Sequence, residues 1–347
     1  MSRKLLPVSI TAAFMGGTAM ADVPNVAVDI APVHSLVARV MEGVGTPNLI
    51  VQTGASPHEY NLRPSEAAAL QNADLVFWMG EDLTPWMEGA VETLANGATV
   101  TPLLEVDGTV LLEFREDALF KAHDHDDEDH AEEEDHGHED HADDKDHDDH
   151  DHEEHAEGED HDHEAHAEHD DHHDHAHSDH DPHAWLSPKN ADTWLNVIAA
   201  QLSAADPDNA GAYFANAAAA RAEMASLAAE VSATLEPVRG SNFIVFHDAY
   251  QYFENAFDFP ASGAISLSDA SDPSPARISE IQGRIREEGI NCVLSEPQFN
   301  PGIVATVLDG TEANTGVIDP LGSDLEPGAK LYPQMIRNIA KTLAECL

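Results

Sequence analysis

The sequence predicts an α/β protein with two similar lobes, each built on a roughly four-stranded parallel sheet with flanking helices and joined by one long helix. Short, almost continuously apolar segments alternate with helical segments in both halves of the chain, which is typical of a parallel sheet covered on both faces. One helical segment of about thirty residues lies between the halves. The 347 residues, 42% of them hydrophobic, suffice for two ordinary domains.

The first half of the chain carries four strand-like segments, and helices are predicted between them at residues 34–41 and 65–71. The strand-like segments are NVAVDI (25–30), NLIVQ (48–52), DLVFWM (74–79) and ATVTPL (98–103). The second half repeats this pattern with NFIVF (242–246), AI (264–265), NCVL (291–294) and TGVI (315–318). We expect helices there over residues 274–288 and about 332–346.

The helix predicted between the two halves begins at Asp206-Pro207, a pair that favours helix initiation, and ends near residue 236. Its apolar residues recur every three or four positions, as on a helix with one buried face. At 1.5 Å per residue it would span ~45 Å and could bridge two lobes. The predicted organisation is a signal peptide (1–21), an N-terminal lobe (22–206) with an insertion (123–180), the linking helix (207–237) and a C-terminal lobe (238–347).

The first residues have the pattern of a secretory signal peptide. Arg3 and Lys4 precede a mostly apolar stretch, and Ala19-Met20-Ala21 has the small side chains typical of a cleavage site. The apolar stretch is too short for a membrane span. Since no cysteine follows the cleavage point, we expect a mature protein outside the cytoplasm without a lipid anchor.

Residues 123–180 form a histidine-rich tract with 29 Asp or Glu and 19 His. Such a composition provides no core, so we predict that the tract is disordered. A solvated acidic spacer would explain the acids but not the histidines. Because imidazole binds zinc, copper and nickel, we favour metal capture at many weak sites.

The net charge of −50 argues against nucleic acid and anionic membrane surfaces as partners. The chain has two cysteines, Cys292 and Cys346. In an oxidising compartment they could form a disulfide between a strand and the C-terminal helix, and the alternative is two buried thiols.

Four motifs place a potential metal ligand where a strand ends or a helix begins. They are GASPHEYNLRPSE with His58, DPHAWLSP with His183, VFHDAYQYF with His247 and VIDPLG with Asp319. In open α/β sheets, ligands bind beyond the carboxyl ends of the strands. Three imidazoles and one carboxylate suit four-coordinate Zn²⁺.

Each motif also has a simpler interpretation. A single loop histidine is more often a surface or capping residue, and Asp319 before a proline could start a turn. The remaining histidine outside the tract, His34, lies near the start of the first helix, and we do not predict it as a ligand. Three carboxylates could orient a ligand or supply another oxygen, namely Glu59, Glu81 and Glu296.

These motifs, together with QNADLVFWMGEDL, resemble the ZnuA-type family, the periplasmic zinc-binding components of ABC importers within the metal-binding class of solute-binding proteins. The resemblance covers essentially the whole mature chain, and relatives carry a histidine-rich insertion at the same place. It implies two lobes joined by a rigid helix, with zinc in the cleft between them. The implied ligands are His58, His183, His247 and Asp319.

The resemblance carries further implications. Manganese-binding relatives have Glu at the position of His247, which favours zinc here, and Cys292 and Cys346 match a disulfide of the zinc-binding members. The expected protein is a periplasmic monomer that captures Zn²⁺ and delivers it to an ABC permease. Other periplasmic zinc carriers are further candidate partners, and nucleic acid is not expected as one.

Three other functions remain as alternatives: a secreted zinc buffer or adhesin-like protein, the same fold serving Mn²⁺, and a zinc hydrolase. The hydrolase is the weakest, because the sequence has no HExxH motif. A fourth ligand at Asp319 would also close the coordination position that a hydrolase keeps open. We therefore expect a protein that is not an enzyme.

Overall fold

The computed structural model describes residues 23–115, 120, 180–266 and 273–347. The predicted signal peptide, and the predicted disorder of the tract apart from His180, lie outside these residues. Within the described part of the chain, no helix is both long enough and apolar enough to cross a lipid bilayer.

The first lobe is built on a four-stranded parallel sheet in the order β2–β1–β3–β4. Its strands are β1 (Val26–Val28), β2 (Asn48–Leu49), β3 (Leu75–Trp78) and β4 (Thr99–Pro102). Its helices are α1 (Ala31–Val40), α2 (Pro64–Gln71), α3 (Pro85–Leu94) and α4 (Pro188–Ala205). Both central strands, β1 and β3, are buried along their whole length. Alternate residues of these strands pack toward α2 and α3 or toward α1 and α4.

The second lobe repeats this arrangement, with a parallel sheet in the order β6–β5–β7–β8. Its strands are β5 (Phe243–His247), β6 (Gly263–Ser266), β7 (Cys292–Ser295) and β8 (Asn314–Val317). Its helices are α6 (Gln251–Phe257), α7 (Pro275–Glu288), α8 (Pro301–Leu308) and α9 (Leu331–Cys346). In both sheets the strands of the lobe appear in the spatial order second, first, third, fourth. The prediction of two similar parallel α/β lobes is therefore confirmed.

The long helix α5 (Ala210–Leu235) lies between the two lobes and packs against α1, α4 and α9. Before it, the Asp206 carboxylate accepts hydrogen bonds from the Asn209 N–H and the Tyr213 hydroxyl. Its two ends tighten into 3₁₀ turns, Pro207–Asn209 and Glu236–Val238. The α-helical part has 26 residues, or ~39 Å. With its two 3₁₀ turns the helical segment runs from Pro207 to Val238, close to the predicted range 207–237.

The two lobes share one hydrophobic core. A single cluster of buried side chains includes one face of each sheet and the inner faces of α1, α4, α5 and α9. Hydrogen bonds accompany this packing, because the Trp185 indole donates to the Pro320 carbonyl at 2.8 Å and the Tyr332 hydroxyl donates to the Trp185 carbonyl at 2.9 Å. The lobes are therefore held together by packing as well as by the linking helix.

The disulfide that the sequence allowed is present. Cys292, the first residue of β7, is bonded to Cys346, the last residue of α9, with their Cα atoms 5.7 Å apart. Both residues are buried. The bridge closes a loop with a sequence separation of 54 residues and fixes the C-terminal helix to the second sheet.

We predict that replacing both cysteines with alanine lowers the free energy of unfolding by about 4 kcal/mol, because the unfolded chain regains the freedom that the closed loop removes. Urea unfolding of the zinc-free protein measures this difference. Reduction of the wild-type protein should give a similar loss. An unchanged free energy of unfolding in both experiments would contradict the prediction.

Candidate metal centre

The predicted ligands lie at the carboxyl ends of the strands, where the two lobes face each other. His58 follows β2, His247 is the last residue of β5, and Asp319 lies two residues beyond β8. His183 comes just before a 3₁₀ turn that leads into α4. In both sheets the strand order reverses at the first strand, and ligands bind at such a switch point in open α/β sheets.

His58 is held on a loop that is anchored on both sides. The indole of Trp86, in α3, donates a hydrogen bond to the Pro57 carbonyl at 2.7 Å. After His58, the Tyr60 hydroxyl donates to Glu66 at 2.8 Å, and the same carboxylate accepts the Arg63 N–H at the start of α2. The half-buried imidazole is therefore presented to the cleft by a fixed loop.

His183 is buried and oriented by Asp181. The Nδ1 atom of His183 lies 2.7 Å from Asp181 Oδ1, and the same oxygen accepts the His183 backbone N–H at 2.9 Å. Because a carboxylate only accepts hydrogen bonds, Nδ1 carries the proton and the Nε2 atom of the neutral imidazole keeps its lone pair. Such a tautomer can bind a metal through Nε2.

His247 has the same arrangement in the second lobe. Its Nδ1 atom lies 2.7 Å from Oε1 of Glu296, the residue that follows β7. Both side chains are buried. Phe299 lies edge-on to the His247 ring, with the ring centroids 5.2 Å apart. The prediction that Glu296 could orient a ligand therefore agrees with its position.

The imidazoles of His58 and His183 are as far apart as two ligands of one metal ion. Their Nε2 atoms are 3.4 Å apart, and two nitrogens on a tetrahedral zinc ion would be about 3.3 Å apart. The His247 ring lies beside His183, with the centroids 5.3 Å apart. All three imidazoles line one cleft, together with Glu296.

This cleft is not a finished coordination sphere. Among the described residues, no three His, Cys, Asp or Glu side chains are placed so that they could hold a metal ion as they stand. Asp319 is not among the residues lining the cleft, although Pro320 and Leu321 are. Its carboxylate accepts hydrogen bonds from the Gln298 amide at 3.0 Å and from the Leu321 N–H at 2.9 Å.

The remaining predicted carboxylates lie elsewhere. Glu59 and Glu81 are exposed, and neither lines the cleft. His34 is buried in α1, where its Nε2 atom lies 3.1 Å from the Pro47 carbonyl oxygen, and it does not line the cleft either. Burial lowers the pKa of His34.

Two residues that were not predicted from the sequence, Asp181 and Gln298, position His183 and Asp319. Asp181 has a signal in the sequence, because it lies two residues before His183 and could close a short hydrogen-bonded turn. It directly follows the acidic tract, however, and looks like one more of its acids. Gln298 has no comparable signal in the sequence.

Two ionisable side chains near His247 have raised pKa values. Burial raises the pKa of Tyr250 well above its ordinary value, and the charges of Glu296 and Asp319 raise it further. Burial also raises the pKa of Asp248 to about 7, against the opposing effect of the Arg115 guanidinium. Burial therefore favours the neutral forms of Tyr250 and Asp248, and the negative charge that could attract a cation here is that of Glu296 and Asp319.

Comparison with known proteins gives a consistent result. Residues 26–346 match the family model described as "ZnuA: Zinc-uptake complex component A periplasmic". The chain is 46% identical over 336 residues to the high-affinity zinc uptake system protein ZnuA of Brucella abortus, covering 97% of this chain and 95% of that protein.

Solved structures share the fold. A crystal structure of ZnuA matches with a TM-score of 0.68 and 20% identity, covering 94% of this chain and 99% of that one. A ZnuA deletion mutant described as zinc bound matches with a TM-score of 0.67 and 20% identity, covering 94% and 98%. From the family match and the full-length relative, this chain belongs to the ZnuA family of periplasmic zinc-uptake components, which are binding proteins and not enzymes.

Proposed function

We propose that this protein captures Zn²⁺ in the periplasm, in the cleft between its two lobes, and delivers it to an ABC-type membrane permease. The observation that supports this most directly is the 3.4 Å separation between the Nε2 atoms of His58 and His183. Family membership supports zinc uptake as the purpose of this capture.

The proposed ligands are His58, His183, His247 and Asp319. His183 and His247 each have Nδ1 beside a buried carboxylate, which leaves Nε2 for the metal. His247 and Asp319 come from the second lobe and would complete the sphere by small side-chain movements. The Asp319 carboxylate, already hydrogen-bonded, still has lone pairs for a metal, because a carboxylate has about four lone-pair sites.

This donor set favours zinc over manganese. Three imidazole nitrogens suit Zn²⁺, whereas Mn²⁺ prefers carboxylate, carbonyl and water oxygens. When four protein groups bind the ion, no coordination position remains for a reactive water molecule. Capture and release, without reaction, is the chemistry that this arrangement supports.

The histidine-rich tract would serve as a second, weaker class of zinc sites. Its 19 histidines and 29 acids attract and bind divalent cations, but no spacing among them defines one tight site. We infer that the tract raises the amount of zinc near the cleft when zinc is scarce. A ZnuA deletion mutant described as zinc bound shows that a relative keeps zinc after losing part of its chain.

We predict that His58→Ala weakens tight zinc binding by more than about 100-fold, because loss of a ligand should cost more than the ~10–100-fold typical of its outer partners. Competition with a chromophoric chelator measures this affinity. His34→Ala is the matched control, since it removes a histidine that does not line the cleft. An equal loss of affinity in both variants would contradict the proposed ligand set.

We predict that deleting residues 123–177 removes the weak zinc sites and leaves one tight site per chain. This deletion keeps His180 and Asp181, which belong to the described structure. Isothermal titration of the intact and shortened proteins counts both classes of site. If the shortened protein lost tight binding, the principal site would have to involve the tract.

A further inference from the structure

The two segments that flank the histidine-rich tract lie side by side. Glu113 and His180 form an isolated antiparallel bridge, and the Asp181 N–H donates to the Leu112 carbonyl at 2.8 Å. We call residues 110–115 and 180–183 the clasp. The clasp thus joins a segment shortly before the tract to the residues at the end of the tract.

The clasp is attached to the first lobe through Asn190 in α4. The Asn190 side chain accepts the Val110 N–H at 2.8 Å and donates to the Val110 carbonyl at 3.0 Å. A third hydrogen bond of the Asn190 side chain, donated to the Ala184 carbonyl at 3.1 Å, connects the turn after His183 to the same amide. Both strands of the clasp are therefore fixed on the first lobe.

The clasp also reaches the second lobe. The Tyr252 hydroxyl, in α6, accepts the Leu112 N–H at 2.9 Å and donates to the Asp181 carbonyl at 2.7 Å. Arg115 donates two hydrogen bonds to the Glu254 carboxylate, at 3.1 and 3.0 Å, and lies 3.2 Å from Asp248. The Tyr252 hydroxyl thus connects both segments of the clasp to α6. The Arg115 guanidinium connects the first segment to α6.

The Arg115 ion pairs are largely removed from water. The side chain of Arg115 is 17% exposed, and those of Glu254 and Asp248 are 6% and 7% exposed. The ring of Phe120 covers the guanidinium, with its centroid 3.7 Å away. Removing the cation would leave the buried Glu254 and Asp248 carboxyl groups without a positive partner and, within the described ranges, Glu254 with only the Ala261 N–H as a donor, which is unfavourable.

The clasp is linked to the proposed metal site in both lobes. It contains His183, which Asp181 orients, and its Arg115 lies 3.2 Å from Asp248, the residue that follows His247. We propose that Arg115 is a positioning residue for zinc binding, which holds α6 against the clasp so that the His183 and His247 imidazoles face each other. This proposal rests on the proposed ligand set.

The test uses the full-length protein and compares Arg115→Ala with Tyr252→Phe, which removes only the hydroxyl that bridges the two strands of the clasp. We expect both variants to release zinc about tenfold faster or more, because loss of a side chain that positions metal ligands typically lowers metal affinity ~10–100-fold. Chelator-triggered zinc release in a stopped-flow instrument measures the rate. The d–d absorption spectrum of the Co²⁺-loaded protein should also change, because it reports ligand geometry.

Arg39→Ala is the matched control. Arg39 is also 17% exposed and pairs with Glu223 of α5 at 2.8 Å, but it does not line the cleft. The Arg39→Ala variant should have a lower thermal stability, with an unchanged zinc release rate and Co²⁺ spectrum. If Arg115→Ala does not fold, Arg115→Lys takes its place with the same expected results, because lysine keeps the charge but cannot make both hydrogen bonds to Glu254.

The proposal is overturned if Arg115→Ala and Tyr252→Phe release zinc at the wild-type rate with a wild-type Co²⁺ spectrum. It is also overturned if Arg39→Ala changes the zinc release rate and the Co²⁺ spectrum as much as Arg115→Ala does, because the effect would then not be specific to Arg115. His58→Ala and His247→Ala test the proposed ligand set independently of the role of Arg115. If these two variants keep the wild-type spectrum and release rate, the ligand assignment is wrong whatever Arg115 does.

Discussion

The arrangement of the candidate metal ligands depends on the packing of two sheets on one hydrophobic core. His183 belongs to the first lobe and His247 to the second, so their separation is set by how the lobes pack. One buried cluster spans both lobes, and α1, α4, α5 and α9 all contribute to it. The hydrogen bond from Trp185 to Pro320 crosses between the lobes immediately beside His183. A well-packed interior resists deformation, so this core limits how far the imidazoles can separate.

Two buried carboxylates determine which nitrogen of the His183 and His247 imidazoles is left to bind a cation. Asp181 and Glu296 each lie 2.7 Å from the Nδ1 atom of a histidine from their own lobe. Each fixes a tautomer and a ring orientation, which prepares Nε2 for a cation. The two lobes thus orient their histidines with carboxylates from different places in the chain. In the first lobe the acid lies two positions before the histidine, and in the second it follows a neighbouring strand.

Much of the fold could be predicted because its strands are short apolar segments bounded by polar ones. β3 and β5 illustrate this, since LVFW and FIVF can hardly be anything but buried. The spatial order of the strands could not be predicted, because it depends on which helices cover which face. β2 is only two residues long, and its pairing with β1 comes from the tertiary structure rather than from its own sequence.

The site was predictable in part for similar reasons. The three histidines were identifiable because each lies at a strand end or before a helix, and the structure brings all three to one cleft. Asp181 was missed because it follows 29 other acids in the tract. Glu59 and Glu81 lie within the sequence motifs but are exposed in space. The direction in which a loop side chain points depends on contacts such as the Trp86–Pro57 hydrogen bond, which no local pattern encodes.

We propose that one zinc ion bridges the two lobes through imidazoles from each. Anomalous diffraction at the zinc edge, from crystals of the protein lacking residues 123–177, tests this proposal. A single strong peak is expected in the cleft, about 2.0–2.1 Å from the Nε2 atoms of His58, His183 and His247, with a carboxylate oxygen of Asp319 as fourth ligand. A peak bound by residues of one lobe alone, or a peak away from His247, would contradict it.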